Sequence, residues 1–181
     1  MKSFISEDNI EQAICNRLSQ PEYGWKRIEC SPELEDQDEV ASTGRANASE
    51  CILPEVFLSA LRRLNPQIDD EILKNILQDF RKDYSGTDMV DTNYKFYNQI
   101  RNGIKVKTRN QHREDFDIVK LIDFDHPERN DFHCVNQMWI KGHFRYRRPD
   151  VLLFVNGLPV VFIELKNSTV KIEESYNKNL V

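Results

Sequence analysis

The stretch RPDVLLFVNGLPVVFIELK, residues 148–166, contains two apolar runs separated by Asn156-Gly157. Asn-Gly between runs of β-branched and aromatic residues is a strong hairpin signal, because both turn positions need positive φ. The runs Val151–Val155 and Val160–Leu165 are apolar on alternate positions of both faces. That predicts two strands in the middle of a covered sheet. The charged residues sit where the runs stop: Asp150 before the first, Glu164 and Lys166 at the end of the second. Side chains two apart share one strand face, so Glu164 and Lys166 belong together. Asp150 joins them only in one register. A strict two-residue loop sets Asp150 opposite Ile163 and sends the carboxylates of Asp150 and Glu164 to opposite faces. A three-residue loop with a left-handed Gly157 sets Asp150 opposite Phe162 and collects all three on one face. Distortion at the strand ends has the same effect. A shared site therefore predicts an odd-length loop, a bulge or a distorted strand end.

Two carboxylates and a lysine in that arrangement fit one chemistry well. Phosphodiester hydrolysis needs a hard cation that polarises the phosphate and lowers the pKa of an attacking water. Two carboxylates suit Mg²⁺, which keeps several waters and draws other ligands from substrate phosphate; Mn²⁺ is a possible substitute. A lysine beside them orients or deprotonates the water, or neutralises charge in the transition state. Spacing alone leaves a second reading open, in which the three are strand-end residues reaching solvent, with Glu164 paired to Lys166.

Outward from this hairpin, the second half of the chain reads as sheet and the first as helix. Ile104–Arg109, Phe116–Phe124 and Asn136–Lys141 are rich in β-branched and aromatic residues and predict further strands. Upstream, apolar spacing predicts helices over 7–19 (Ser6 as cap), 54–64 (Pro54 opening), 69–82 and 91–101. Residues 31–50 are acidic, then rich in Ser, Gly and Asn, and read as a long loop. A final helix is expected over 171–180. The expected fold class is α/β (α+β): a mixed β-sheet core flanked by helices. The expected division is a mainly helical part at 1–102 and the sheet core at 103–181, cut off in or after its last helix.

The net charge of -5 conceals an asymmetry: residues 1–90 hold 10 Lys and Arg against 18 Asp and Glu, whereas residues 91–181 hold 15 against 12. A phosphate-binding face belongs in the second half. Lys141, Arg145, Arg147 and Arg148, with His143 nearby and Phe144 and Tyr146 interleaved, form a basic stripe leading into Asp150 and are candidate DNA contacts. Lys105, Lys107 and Arg109 on one strand face are a weaker second set, since solvated strand edges also use lysine. The pairs Asp115/Asp117 and Asp123/Asp125 fit turn and strand-end roles better than metal binding. His133-Cys134 fits a core cysteine better than thiol catalysis, because strand neighbours point to opposite faces. His112, His126, His133 and His143 show no HxxxH or HExxH spacing, and there is no GxSxG. The four cysteines lie far apart without a CxxC pair, which disfavours both zinc and a disulfide framework. No apolar run reaches membrane-spanning length, and the N-terminus lacks an apolar signal core. A reduced, cytoplasmic protein without membrane contact is expected.

With these residues in view, the chain resembles the N-terminal nuclease region of the R (restriction) subunit of type I restriction-modification enzymes, in the PD-(D/E)xK superfamily. The matching segments are GIKV at 103–106, LIDF at 121–124, NDFHCVNQ at 130–137 and RRPDVLLFVNGLPVVFIELKN at 147–167. NIEQAICNRL at 9–18 and LRRLNP at 61–66 are similar as well. The resemblance implies a restriction-endonuclease-like fold, Asp150 and Glu164 as metal ligands and Lys166 as the catalytic lysine. It also offers Glu11 as a further metal ligand on the first helix, on the face of Ile14, Cys15 and Leu18. The implied partners are double-stranded DNA and the methyltransferase (M) and specificity (S) subunits that supply modification and recognition. ATP would serve only the longer R subunit, since no GxxxxGK[ST] occurs here and the chain reads as an N-terminal fragment. The family's QxxxY motif finds no match before Val181, and Tyr176 lacks a Gln at the right spacing. The alternative is a catalytically silent module of the same fold that contacts DNA or docks the methyltransferase subunits.

Overall fold

The computed structural model describes residues 6–30, 42–82, 84, 87–110, 113–142 and 145–166. The helix expected over 171–180, Tyr176, His112, His143, Phe144 and residues 31–41 of the acidic loop lie outside them. Contacts divide the chain into two compact units that do not follow a boundary at residue 102. One comprises Met1–Glu50, Phe132–Phe154 and Pro159–Val181; the other comprises Cys51–Asp131 and Val155–Leu158.

The first unit begins with α1 (Glu7–Leu18), capped by Ser6, whose hydroxyl accepts the Asn9 N–H at 3.2 Å. Its two fully buried positions are Glu11 and Cys15, one turn apart, so its inward seam contains a carboxylate. A strand that apolar patterning does not reveal follows: β1 (Lys26–Glu29), sequence KRIE. Strand β4 (Phe132–Asn136) runs parallel to it, pairing Lys26 with His133 and Glu29 with Asn136. The sheet order is β1-β4-β7-β8, with β7 (Val151–Val155) and β8 (Leu158–Ile163) as the hairpin. A small ribbon, β5 (Ile140–Lys141) against β6 (Tyr146–Arg147), stands apart from this sheet. The core joins Cys15 of α1, Cys134 of β4 and Val151 of β7, with Leu18, Trp25, Leu153 and Ile163 around them. A mixed sheet with helical cover is therefore present. Two strand expectations are corrected in position. The ladder runs over Phe132–Asn136 and ends where a strand was expected to begin. β8 is the sheet's edge among the described strands, with Val160, Val161 and Phe162 exposed, rather than a central strand.

The second unit packs α2 (Pro54–Leu64), α3 (Asp70–Phe80) and α4 (Met89–Asn102) with the antiparallel pair β2 (Ile104–Asn110) and β3 (Arg113–Val119). Its core gathers Phe57, Leu61, Leu73, Ile76, Leu77, Val119 and Leu121. β3 starts and stops earlier than the expected Phe116–Phe124, because the following residues enter a polar turn built on Asp123 and Asn130. The tip of the β7–β8 hairpin, residues 155–158, belongs to this unit. Asn156 and Gly157 have φ of 51° and 80°, the signature of a two-residue turn with both centres left-handed. Asn156 is fully buried and densely bonded. Its amide donates to Leu121 O at 2.9 Å and Asn130 Oδ1 at 2.8 Å, and its Oδ1 accepts the Asp131 N–H at 2.8 Å. Gly157 presses against α2: a Cβ there would stand 2.6 Å from Leu53 O and 2.7 Å from Phe57 N. The odd-length loop is therefore corrected; a two-residue turn closes the hairpin.

Candidate active site

With a two-residue turn, continued strand geometry would separate Asp150 from Glu164. Both strands end first. β7 begins at Val151 and β8 stops at Ile163, so Asp150 and Glu164–Lys166 lie outside the ladder. The Leu165 N–H donates to Asp150 Oδ2 at 2.5 Å, folding the end of one strand onto the start of the other. Of the routes open in the sequence, distortion of the strand ends is the one taken.

The result is a cleft of about 840 Å³ in the first unit, lined by Asp150, Glu164 and Lys166 together with Glu11 of α1, Asn136 at the end of β4 and Gln137 directly after it. Lys166 Nζ donates to Glu164 Oε1 at 2.6 Å and to its neighbour's carbonyl, Leu165 O, at 2.9 Å. Glu164 Oε2 is buried and accepts no hydrogen bond from any described residue. Burial pulls the Lys166 pKa down, but the hydrogen bond to Glu164 and the charges of Glu164, Asp150 and Glu7 outweigh it and hold the pKa above the ordinary lysine value. Lys166 is thus an ammonium in this arrangement.

Glu11 points inward and is 4% exposed. Its Oε1 accepts the Asn136 amide at 3.0 Å, and its Oε2 accepts the Gln137 amide. Among the described residues no three His, Cys, Asp or Glu side chains stand close enough to hold an ion by themselves. Glu11 therefore lines the same cleft without closing a three-carboxylate cage with Asp150 and Glu164. A buried carboxylate oxygen without a donor, next to a second carboxylate, fits a cation that takes its remaining ligands from water and substrate. That is the habit of Mg²⁺ rather than of Zn²⁺ or Ca²⁺.

One wall is basic. Arg145, Tyr146, Arg147 and Arg148 all line the cleft, whereas Lys141 does not. Lys141 lies over the Tyr146 ring at 5.9 Å, and Arg148 lies over Trp139 at 5.0 Å. Desolvation, with the nearby Arg145 charge, lowers the Arg147 pKa below its ordinary value. Guanidinium groups and aromatic rings thus alternate along one side of the cleft. Lys105 and Lys107 belong to the other unit, where Lys105 sits over Phe116 at 4.3 Å. Asp117 accepts the Thr108 hydroxyl, and Asp123 is held by Arg129 and the His126 N–H, so both serve local structure. Cys134 is fully buried and its thiol meets Cys15 Sγ at 3.3 Å; that hydrogen bond and burial push the Cys134 pKa up, as befits an inert core cysteine.

Sequence reasoning singled out Glu11 but not the residues that hold it. Asn136 and Gln137 were visible only as the end of the NDFHCVNQ segment. Their signal is a pair of adjacent amides where a strand ends, and the second has φ 60°.

The family model described as the type I restriction enzyme R protein N terminus matches residues 4–180. The type I restriction enzyme HindI endonuclease subunit of Haemophilus influenzae is 32% identical over 165 residues, covering 91% of this chain and 15% of that protein. The putative type I restriction enzyme MjaIXP endonuclease subunit of Methanocaldococcus jannaschii is 29% identical over 171 residues, covering 90% and 15%. A second protein of that organism, the putative MjaVIIP endonuclease subunit, is 38% identical over 74 residues, 41% of this chain and 6% of its own length. The chain spans about 15% of the length of the first two relatives.

Proposed function

Because the chain belongs to the family of type I restriction enzyme R protein N termini, we propose that it is the endonuclease portion of such an R subunit. In this reading it hydrolyses DNA phosphodiester bonds with Mg²⁺ in the Asp150–Glu164–Lys166 cleft. The observation that carries it is the convergence of those three side chains, with Glu164 Oε2 buried and undonated. A lone buried carboxylate oxygen is costly, and a cation would offset that cost.

Asp150 and Glu164 would hold the ion, with Glu11 adding a third negative charge to its surroundings. The ion, when bound, would polarise the scissile phosphate and acidify the attacking water. Lys166 donates rather than accepts, which suits orienting that water and neutralising charge gathering on the phosphate oxygens. Arg145, Arg147 and Arg148, with Lys141 beyond them, would hold the DNA backbone without reading sequence. Recognition and modification would fall to the specificity and methyltransferase subunits, and ATP use to the part of an R subunit outside this chain.

A silent docking module is the competing reading. It draws on Asp150 and Glu164 each already having a partner, Leu165 N–H and Lys166. Calorimetric Mn²⁺ titration separates the two. The nuclease reading expects one ion bound by wild type and none by Asp150→Ala; equal binding by both would sink it. Cleavage of duplex DNA by the reconstituted complex, lost in Asp150→Ala, is the matching activity test.

A further inference from the structure

The NDFHCVNQ segment ends beside the cleft on two residues to which the proposed chemistry assigns no role. Gln137 follows β4 with φ 60°, a left-handed conformation that glutamine rarely adopts. Held that way, it faces two directions at once. Its main-chain N–H donates to Asp150 O at 3.0 Å, and its side-chain amide donates to Glu11 Oε2. Asn136 completes the arrangement. Its Nδ2 donates to Glu11 Oε1 at 3.0 Å, while its own Oδ1 faces Arg27 Nε at 3.5 Å. Arg27 thereby fixes which end of the Asn136 amide meets Glu11. Asn136 is 1% exposed, so this orientation is set inside the protein and not by solvent.

We propose that Gln137, assisted by Asn136, is a positioning residue of the metal site. One left-handed residue ties the main chain of Asp150 to the carboxylate of Glu11, linking the acidic residue that precedes β7 to the one on α1 in the same cleft. The proposal rests on the reading of the cleft as the metal site. Its physical logic is that of residues which orient metal ligands rather than bind: amides on both oxygens fix a carboxylate's rotation. A lone pair on each Glu11 oxygen remains for the cleft.

The test is Mn²⁺ calorimetry on the 181-residue chain, with thermal unfolding followed in parallel. Gln137→Gly keeps the left-handed backbone and the N–H to Asp150 but removes the amide from Glu11. Gln137→Asn tolerates the same backbone with a side chain too short to reach. Each is expected to weaken Mn²⁺ binding about tenfold, the lower end for residues supporting metal ligands. The exchange Glu11→Gln with Gln137→Glu rebuilds an amide–carboxylate pair with its partners reversed. It is expected to recover thermal stability and not Mn²⁺ affinity, because it restores the contact but takes the carboxylate off α1. Wild-type affinity in both single variants, with Asp150→Ala having lost the ion, overturns the positioning role and leaves the nuclease reading standing. Wild-type affinity in Asp150→Ala removes the metal site, and this proposal with it.

Discussion

Glu164 has two oxygens in different states. Oε1 accepts the Lys166 ammonium and Oε2 is buried with no donor among the described residues. The contrast predicts how the cleft responds to substitution. Glu164→Gln keeps the shape but replaces the anion with an amide, and is expected to cost Mn²⁺ affinity at least about a hundredfold, the upper end for mere supporting residues. Lys166→Ala should leave the ion bound and lower the rate of cleavage by about 10²–10³, the scale for losing one preorganised charge-stabilising donor. Single-turnover cleavage beside Mn²⁺ titration distinguishes the two. A Lys166→Ala protein that cleaves at the wild-type rate would remove the lysine from the chemistry. Asp150, Glu164 and Lys166 were legible in the sequence because charge at the ends of apolar strands is conspicuous. Gln137 was not, because nothing in its identity announces a left-handed backbone.

The hairpin turn is the element on which register depends. Gly157 combines φ 80° with a backbone contact that leaves no room for a Cβ, 2.6 Å from Leu53 O. Gly157→Ala should therefore destabilise the protein by about 2 kcal/mol or more, since the left-handed penalty alone is about 1–2 kcal/mol. Asn156→Ala removes the amide that meets the Leu121 carbonyl and the Asp131 N–H. A loss of about 1–3 kcal/mol is expected, the cost of leaving the buried Leu121 carbonyl unsatisfied. Urea unfolding measures both; near-neutral values would mean the turn relaxes freely. Asn-Gly reliably signalled this turn. The choice between a slipped loop and frayed strand ends was not legible, because it depends on where the Asp150 carboxylate finds a hydrogen bond, at Leu165 N–H.

At the scale of the whole molecule, charge and titration supply two further tests. Asp123 is 2% exposed. Desolvation opposes its ionisation, but the His126 N–H and the charges of Lys120, Arg129 and His126 prevail and lower its pKa. A carboxyl lowered in the folded state stabilises the fold above its unfolded value, near about pH 3.9. That contribution fades as pH falls through the folded value. Acid titration of unfolding should show a shallower loss below about pH 4 in Asp123→Asn than in wild type; parallel curves would count against the assignment. With a net charge of -5, the proposed binding to DNA would have to come from a local basic face. Arg145→Ala and Arg147→Ala are each expected to lower duplex affinity without changing sequence preference, and to reduce the slope of log K against log salt by about 1. Unchanged slopes would place the phosphate contacts elsewhere.

The sequence by itself determined the helices α1 to α4 within a few residues, the hairpin and its turn, the three charged residues at its ends and the family. Those features are local: periodicity, caps, left-handed turn residues and a dense motif. Tertiary structure decided the rest. β1 is only KRIE in sequence and becomes a strand because β4 offers it a parallel ladder. β8 looks as apolar as β7, yet it lies at the sheet's edge among the described strands, and apolarity cannot tell which strands are neighbours. The inward turn of Glu11 is settled by two amides 125 and 126 positions away in the chain. No local pattern can encode a partner that only folding brings near.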